Sequence, residues 1–137
     1  MKRPKLFQTM GLLLGLAAFA QAQQQDTIAV NRIAMCAAIV EREPSGESAR
    51  FEVGTEKVYC FTELNGAAGE VTYAWFLGDS LRSEIKLNKG RPGRWRMWSN
   101  KTMSPNMAGE WKVEVRDTSG KVLESIAFTF GEAKGRE

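Results

Sequence analysis

The segment from Arg94 to Trp98, with Lys101 three residues further on, carries the residue types best suited to molecular recognition. Arg and Trp are enriched where protein interfaces concentrate their binding energy, guanidinium groups bind carboxylates in a two-pronged fashion, and indole faces stack on flat rings. Alternation along a strand would place Arg94, Arg96 and Trp98 on one face. We therefore take Arg94, Arg96, Trp98 and Lys101 as candidate binding residues, with a protein or a glycan as partner.

A structural interpretation of the same segment competes with recognition. Trp95 and Met97, on the opposite parity, would enter the core. The guanidinium groups would then stack on neighbouring aromatic rings and stiffen an exposed sheet face without any ligand. The sequence leaves both interpretations open.

The chain contains no histidine. This excludes Ser-His-Asp and Cys-His catalysis and every imidazole-based metal site. Two cysteines and scattered carboxylates do not supply the four ligands of a closed zinc site. A glycosidase needs only two carboxylates, but Glu41 and Glu43 share a strand parity and have the character of a solvated edge. We predict no catalytic residues, no metal, no cofactor and no enzyme activity.

A second basic segment runs from Lys89 to Arg94 and contains Gly90, Pro92 and Gly93. Backbone N–H groups in such a turn can cradle an anion, but the Walker spacing and a following helix are both missing. A tight basic turn is the favoured interpretation.

The first 22 residues have the pattern of a secretory signal peptide. Basic residues at the start are followed by an apolar run from Met10 to Phe19 and by the small residues Ala20 and Ala22. The run is about half of the ~20 residues needed to cross a bilayer, so we predict cleavage after Ala22, with cleavage after Ala20 as the alternative. The protein is therefore predicted to be periplasmic or secreted, without stable membrane insertion.

The processed chain is formally neutral. Three of the 19 Lys and Arg residues lie in the leader, and the remaining 16 equal the 16 Asp and Glu residues. Nucleic-acid binding relies on a surplus of Lys and Arg that neutralises phosphates. The composition therefore favours a partner other than nucleic acid, and it makes no prediction of oligomeric state.

Cys36 and Cys60 are the two cysteines of the chain. In an oxidising compartment an even pair is read first as a disulfide, and both fall in apparent strands. The alternative is two separate buried thiols that act as small apolar side chains. We predict the Cys36–Cys60 disulfide.

Alternating apolar residues and regularly spaced turn signals fill the rest of the chain. Asn31 to Val40, Lys57 to Leu64 and the segments after them have β-branched and aromatic alternation, whereas residues 42–47, with Pro44 and Gly46, read as a break. The Asp117 to Gly120 turn closes a final hairpin that returns to Phe130. We predict an all-β, antiparallel immunoglobulin-like β-sandwich of seven or eight strands at residues 31–131, after a flexible spacer at residues 23–30 and before a flexible tail at residues 132–137.

From Arg32 to Phe130 the chain resembles the bacterial family named domain of unknown function 2914. The stretches that carry the resemblance are Arg42-Glu43-Pro44, Val58 to Leu64, Arg94-Trp95-Arg96, Trp98-Ser99, Lys101, Pro105, Gly109 to Val113, Asp117 and Gly120. The resemblance implies a small extracytoplasmic or appended accessory domain and supplies no catalytic residues.

These observations lead to two functional hypotheses. The first is an exported accessory module that binds another envelope or secreted protein through Arg94, Arg96 and Trp98. The second is a carbohydrate-binding module that uses Trp98 and another exposed aromatic ring. Geometry distinguishes them, because a sugar platform needs at least two exposed coplanar rings, whereas stacked guanidinium groups would cover such rings.

Overall fold

The computed structural model describes residues 27–132 as two β-sheets packed face to face. The predicted signal peptide, residues 23–26 of the predicted spacer and residues 133–137 of the predicted tail lie outside the described residues. Residues 28–30, predicted to be part of the flexible spacer, are instead the start of the first strand. Over residues 27–132 no helix is long and apolar enough to cross a membrane. The strands of this region are β1 (Ile28–Val40), β2 (Glu43–Glu47), β3 (Arg50–Phe51), β4 (Lys57–Gly66), β5 (Gly69–Leu77), β6 (Ser80–Lys89), β7 (Trp95–Thr102), β8 (Gly109–Arg116) and β9 (Val122–Phe130).

The predicted all-β sandwich is confirmed. One sheet has four strands in the order β2-β1-β4-β7, and the other has five in the order β3-β9-β8-β5-β6. Neighbours are antiparallel except β3, which runs parallel to β9. Strand β1 lies against β9 across the sandwich, and side chains of β4 and β7 contact side chains of β5.

Alternation along the strands builds the core between the sheets. On β8, Trp111, Val113 and Val115 are buried, and Phe128 and Phe130 of β9 join them. The Trp111 ring stacks on the Phe128 ring at 5.9 Å between centroids. Inward residues of both sheets thus supply the apolar burial that stabilises the fold.

Two hydrogen-bonded side-chain contacts cross the core between the sheets. The Trp75 indole N–H of β5 donates to the Ser99 hydroxyl of β7 at 3.0 Å. The hydroxyls of Tyr73 and Thr62 lie 2.7 Å apart, and the Thr62 hydroxyl donates to the Met97 carbonyl at 2.9 Å. Burial raises the pKa of Tyr73 well above its ordinary value, so its hydroxyl stays protonated.

The β8–β9 turn forms as the sequence predicts. One Asp117 carboxylate oxygen accepts hydrogen bonds from the backbone N–H groups of Ser119 and Lys121, at 2.9 and 3.1 Å. Gly120 has a φ of 89°, which an L side chain adopts only with strain. The residue types that predicted this turn therefore also hold it, through contacts within the turn itself.

The predicted break at residues 42–47 is wrong. These residues form β2, an edge strand that pairs with the end of β1 through a two-residue turn at Glu41 and Arg42. Both turn residues have positive φ, 52° and 65°, as a type I′ hairpin turn requires. Pro44 is accommodated because an edge strand leaves one side without ladder hydrogen bonds.

The connection between β7 and β8 is short. Strand β7 continues to Thr102, and a short 3-10 helix follows at Pro105–Met107. Met103 is buried in the core and Met107 packs against it, so both methionines close the end of the sandwich.

The predicted Cys36–Cys60 disulfide is not formed, and both thiols are free and buried. The β1–β4 register pairs Cys60 with Met35 and Cys36 with Tyr59. Because side chains alternate between faces, this offset of one residue sends Cys60 into the core and Cys36 to the opposite side of the sheet. Two neighbouring strands are thus insufficient for a bridge, since the side chains must also point the same way.

We expect the native protein to carry two reduced thiols. Unfolding in denaturant with iodoacetamide and without reductant should add two carbamidomethyl groups, because both cysteines are free in the fold. Intact mass spectrometry measures this directly. Protein that incorporates no label until it is reduced would contradict the register that separates the cysteines.

Candidate functional site

The candidate residues of β7 do not all share one face. Trp95 and Met97 pack in the core, so Arg96 and Trp98 project from the outer face of the four-stranded sheet, the side turned away from the five-stranded sheet. Arg94 immediately precedes the strand and reaches Glu63 on the same outer face. Lys101 pairs with Val58 and has the inward parity, so it does not join the other three.

Both arginines of this face hold carboxylates. Arg94 contacts Glu63 of β4 at 3.1 Å, and its side chain is 60% exposed. Arg96 donates a short hydrogen bond to Glu43 of β2, and its side chain is 23% exposed. The cation-π stacking predicted for these two guanidinium groups is replaced by ion pairs.

A stacked aromatic pair lies beside the arginines. The Trp98 indole is half-buried and stacks on the ring of Phe61 in β4, with centroids 6.4 Å apart and planes 14° apart. The Arg32 guanidinium carbon lies 5.4 Å from the Phe61 ring centre on the same outer face. Phe61 is fully buried although it points away from the core.

Arg32 also connects this face to the β1–β2 hairpin. Its guanidinium donates to Glu43 at 3.1 Å and to Glu47 at 3.0 Å. Glu43 therefore bridges Arg32 of β1 and Arg96 of β7. We call the residues 37–47 the hairpin arm.

These contacts require the hairpin arm to fold back over the outer face. Glu43 pairs with Val40, eight residues beyond Arg32 along β1. In a straight strand, at roughly 3.3 Å per residue, the two positions would be about 26 Å apart, too far for an Arg and a Glu side chain to meet. The 3.1 Å contact thus places the tip of the arm above the row formed by Arg32, Glu63 and Arg96.

The ion pairs of the outer face balance in charge. Three guanidinium groups meet three carboxylates: Arg32, Arg94 and Arg96 against Glu43, Glu47 and Glu63. Hydrogen bonds from Arg96 and Arg32 lower the pKa of Glu43, and the hydrogen bond to Glu63 raises the pKa of Arg94. The ionised forms of Glu43 and Arg94 are therefore favoured.

We expect stability to fall as the pH drops through the acidic range. The pKa values of Glu43, Glu114 and Asp117 all lie below their ordinary values, chiefly because of hydrogen bonds from Arg96, Arg116 and Ser119 respectively. A carboxyl whose folded pKa is lowered stabilises the native state above its unfolded pKa, and this stabilisation disappears as pH falls through the folded pKa.

Urea unfolding at a series of pH values from about 6 to about 3 measures this effect. The unfolding free energy should decline below about pH 4.5, near the ordinary pKa of glutamate. Glu43→Gln should make the decline shallower. Stability that rises on acidification would contradict the ion pairs.

The outer face of the five-stranded sheet carries a comparable cluster. The Phe76 ring lies 5.1 Å from the Lys112 ammonium and 5.7 Å from the Arg116 guanidinium carbon. Glu114 contacts both cations. This cluster contains residues of β5 and β8 only, so it offers a chemically matched control for the face around Trp98.

The predicted basic turn after β6 is held by hydrogen bonds from a buried lysine. Lys89 is fully buried, and its ammonium donates to the carbonyls of Gly66 and Arg91 at 3.1 and 2.7 Å. Burial lowers its pKa, and Arg91 lies over the Trp95 ring at 5.4 Å. Lys89 therefore anchors the turn rather than projecting from it.

The carboxylates considered for glycoside hydrolysis do not form a pair. Glu41 occupies the exposed hairpin turn, while Glu43 is bound by two arginines. An open concavity of about 620 Å³ lies between the β3 end and the end of β9, lined by Arg50, Glu52, Val53, Gly131 and Glu132. Within residues 27–132 no group of three or more His, Cys, Asp or Glu residues is arranged to hold a metal ion.

Sequence reasoning found the β7 residues but missed their partners. The sequence does not predict a role for Arg32, Glu47 or Phe61, and it predicts Glu43 only as a solvated acid. One signal was present, because the β4 alternation places the aromatic Phe61 on a face that otherwise carries polar side chains.

The family model described as "Protein of unknown function (DUF2914)" matches residues 69–130, from the start of β5 to the end of β9. The predicted resemblance to this family is confirmed. The DUF2914 match includes Arg94, Arg96 and Trp98, whereas β1, β2 and β4, with Arg32, the hairpin arm and Phe61, lie before it. No curated protein matches the sequence.

Among solved structures, the chain is similar to part of two β-glucosidases. The GH3 β-glucosidase of Bifidobacterium adolescentis is 13% identical, with a TM-score of 0.45 over 81% of this chain and 18% of the enzyme. A β-glucosidase from Listeria innocua is 9% identical, with a TM-score of 0.46 over 78% of this chain and 16% of the enzyme. The chain thus spans less than a fifth of either enzyme, and their activity does not transfer to it.

Proposed function

We propose that this chain is a non-catalytic accessory module that binds another protein of the cell envelope or the extracellular space. The observation that carries the proposal is that a half-buried Trp98 and a 60% exposed Arg94 lie on the same sheet face. Trp and Arg are the residue types most often found at the energetic centres of protein interfaces. The stack on Phe61 fixes the indole plane, which reduces the entropy lost when a partner binds.

A protein partner is favoured over a glycan by the exposure of the rings. Phe61 and Trp98 are nearly parallel, but Phe61 is fully buried. The stack therefore offers a single indole to solvent. A carbohydrate-binding module remains the second candidate, because Trp98 alone could stack on one sugar ring.

The location is part of the proposal. The basic start, the apolar run and the small residues up to Ala22 favour export to the periplasm or the medium. A partner would then be another exported or envelope protein.

Site-specific photo-crosslinking in intact cells tests the proposal. A photoreactive phenylalanine analogue at position 98 should give a discrete crosslinked band that contains this chain and one partner. The same analogue at position 76 provides the matched control, because Phe76 is also an outer-face aromatic ring beside cations. Arg94→Ala should weaken the band from position 98.

Two outcomes would contradict the proposal. Equal crosslinking from positions 98 and 76 would mean that the face around Trp98 has no special role. Crosslinks absent at position 98, together with glycan-array binding that Trp98→Ala abolishes, would favour the carbohydrate-binding module.

A further inference from the structure

An apolar surface is covered by the protein's own hairpin arm. Three buried residues, Ala34, Cys36 and Phe61, lie on the outer face of the four-stranded sheet, with exposed fractions of 6%, 0% and 0%. They point away from the core, and none of them belongs to the main core cluster. Outer-face side chains lose contact with water only where something lies over them.

The hairpin arm covers Cys36 directly and holds Arg32, the residue that lies over Phe61. The Cys36 thiol lies against the backbone of Ser45 in β2, and burial raises its pKa. Glu43 and Glu47 of the arm hold Arg32, which in turn lies over Phe61. Glu43 also reaches across to Arg96, so the arm spans from β1 to β7.

We propose that the hairpin arm is a built-in occupant of this surface, and that an acidic segment of the partner protein takes its place. This inference rests on the proposed function and names the chemistry of its partner. Displacing the arm uncovers Cys36 and releases Arg32, which lies over Phe61.

Charge argues for an acidic segment. With Glu43 and Glu47 removed, the outer face keeps Arg32, Arg94 and Arg96 against the single carboxylate of Glu63. An incoming segment must then supply carboxylates to Arg32 and Arg96. The arm itself demonstrates a spacing that fits, since Glu43 and Glu47 are four residues apart on one strand, and period-two alternation puts both on the same face.

The attachment of the arm is suited to displacement. Its charge pairs involve side chains between 23% and 50% exposed, and such pairs are individually weak and weakened further by salt. The bend of the arm includes Gly46, with a φ of 70°, where an added Cβ would lie 3.2 Å from the Ala37 Cβ. A small residue with left-handed backbone therefore lies where the arm turns back.

The two free cysteines report separately on arm displacement and on global unfolding. Cys36 lies beneath the arm, whereas Cys60 lies in the core. A small disulfide reagent that acts on both thiols should modify Cys36 faster than Cys60 under native conditions. Peptide mapping after a time course gives the two rates.

Glu43→Gln should raise the Cys36 modification rate by about tenfold, because it removes the negative charge that pairs with both arginines, and should change the Cys60 rate much less. Glu114→Gln is the matched control, since Glu114 also bridges two cations but lies on the other sheet. It should leave the Cys36 rate as in the parent protein. Equal rates for Cys36 and Cys60 in every variant would overturn the proposal, because the arm would then move only when the whole domain unfolds.

A second measurement tests the identity of the occupant. The probe is a fluorescein-labelled peptide with the sequence of residues 42–48, measured by fluorescence anisotropy against the full processed chain. The tethered arm competes at high effective concentration, so the peptide should bind the Glu43→Gln variant about tenfold more tightly than the parent. Added salt should weaken this binding.

A peptide with Gln at both glutamate positions is the control and should bind more weakly to the same variant. Equal binding of the two peptides, or no binding of the acidic peptide to the Glu43→Gln variant, would overturn the proposal. Either result leaves crosslinking from position 98 unaffected, so a failure of this inference is distinguishable from a failure of the proposed function.

Discussion

Replacing Trp75 by alanine should lower the free energy of unfolding by about 3–5 kcal/mol, the range typical for truncating a buried tryptophan. Trp75 is fully buried, and its ring meets the Phe128 ring edge to face at 6.1 Å. The change also leaves the Ser99 hydroxyl without its indole donor. Because the free energy of unfolding of a native protein is only about 5–15 kcal/mol, we expect this variant to be marginally stable.

Urea unfolding followed by circular dichroism measures the loss. Trp98→Ala is the matched control, because it removes the same side chain from a half-buried position on the outer face. Its cost should be clearly smaller. Equal costs for the two variants would contradict the assignment of Trp75 to the core and Trp98 to the surface.

Thr62→Val should lower the free energy of unfolding by about 1–3 kcal/mol, although the two side chains have nearly the same shape. The Thr62 hydroxyl joins Tyr73 of the facing sheet to the Met97 carbonyl of β7. Valine leaves both groups buried without this partner. The cost is that of leaving a buried polar group unsatisfied, which exceeds the value of an average hydrogen bond.

A double-mutant cycle with Tyr73→Phe isolates the contact. Tyr73→Phe removes the hydroxyl that Thr62→Val leaves unpaired, so the double variant should lose less stability than the sum of the single variants. The difference is the interaction free energy between the Thr62 and Tyr73 side chains across the sandwich. Strict additivity would mean that the two hydroxyls do not bond to each other.

Local sequence patterns determined most of the strands. Alternation requires only that neighbouring residues point to opposite faces, so it correctly predicted that Trp95 and Met97 are inside and that Arg96 and Trp98 are outside. The Asp117 turn was equally predictable, because its hydrogen bonds join residues at most four positions apart. Both inferences depend on contacts within a few residues.

The predicted break at residues 42–47 is wrong because the effect of proline and glycine on a strand depends on where the strand lies in the sheet. Pro44 and Gly46 normally end a strand, but at a sheet edge the missing N–H costs nothing and the glycine permits the bend. The local sequence pattern therefore did not predict strand β2 or the hairpin arm. The candidate site was half predicted for the same reason, since two of its three carboxylates, Glu43 and Glu47, come from the arm.

What the sequence by itself determined is the two-layer β architecture and, in the strands that it predicted, which residues point to the core, such as Trp95 and Met97. Only the tertiary structure decided which residues meet across strands. Cys60 pairs with Met35, the residue next to Cys36, and this shift of one residue places the two thiols on opposite faces of the sheet. The Glu43–Arg96 contact joins residues 53 positions apart. Register and long-range contact arise from packing all strands at once, and no local pattern encodes them.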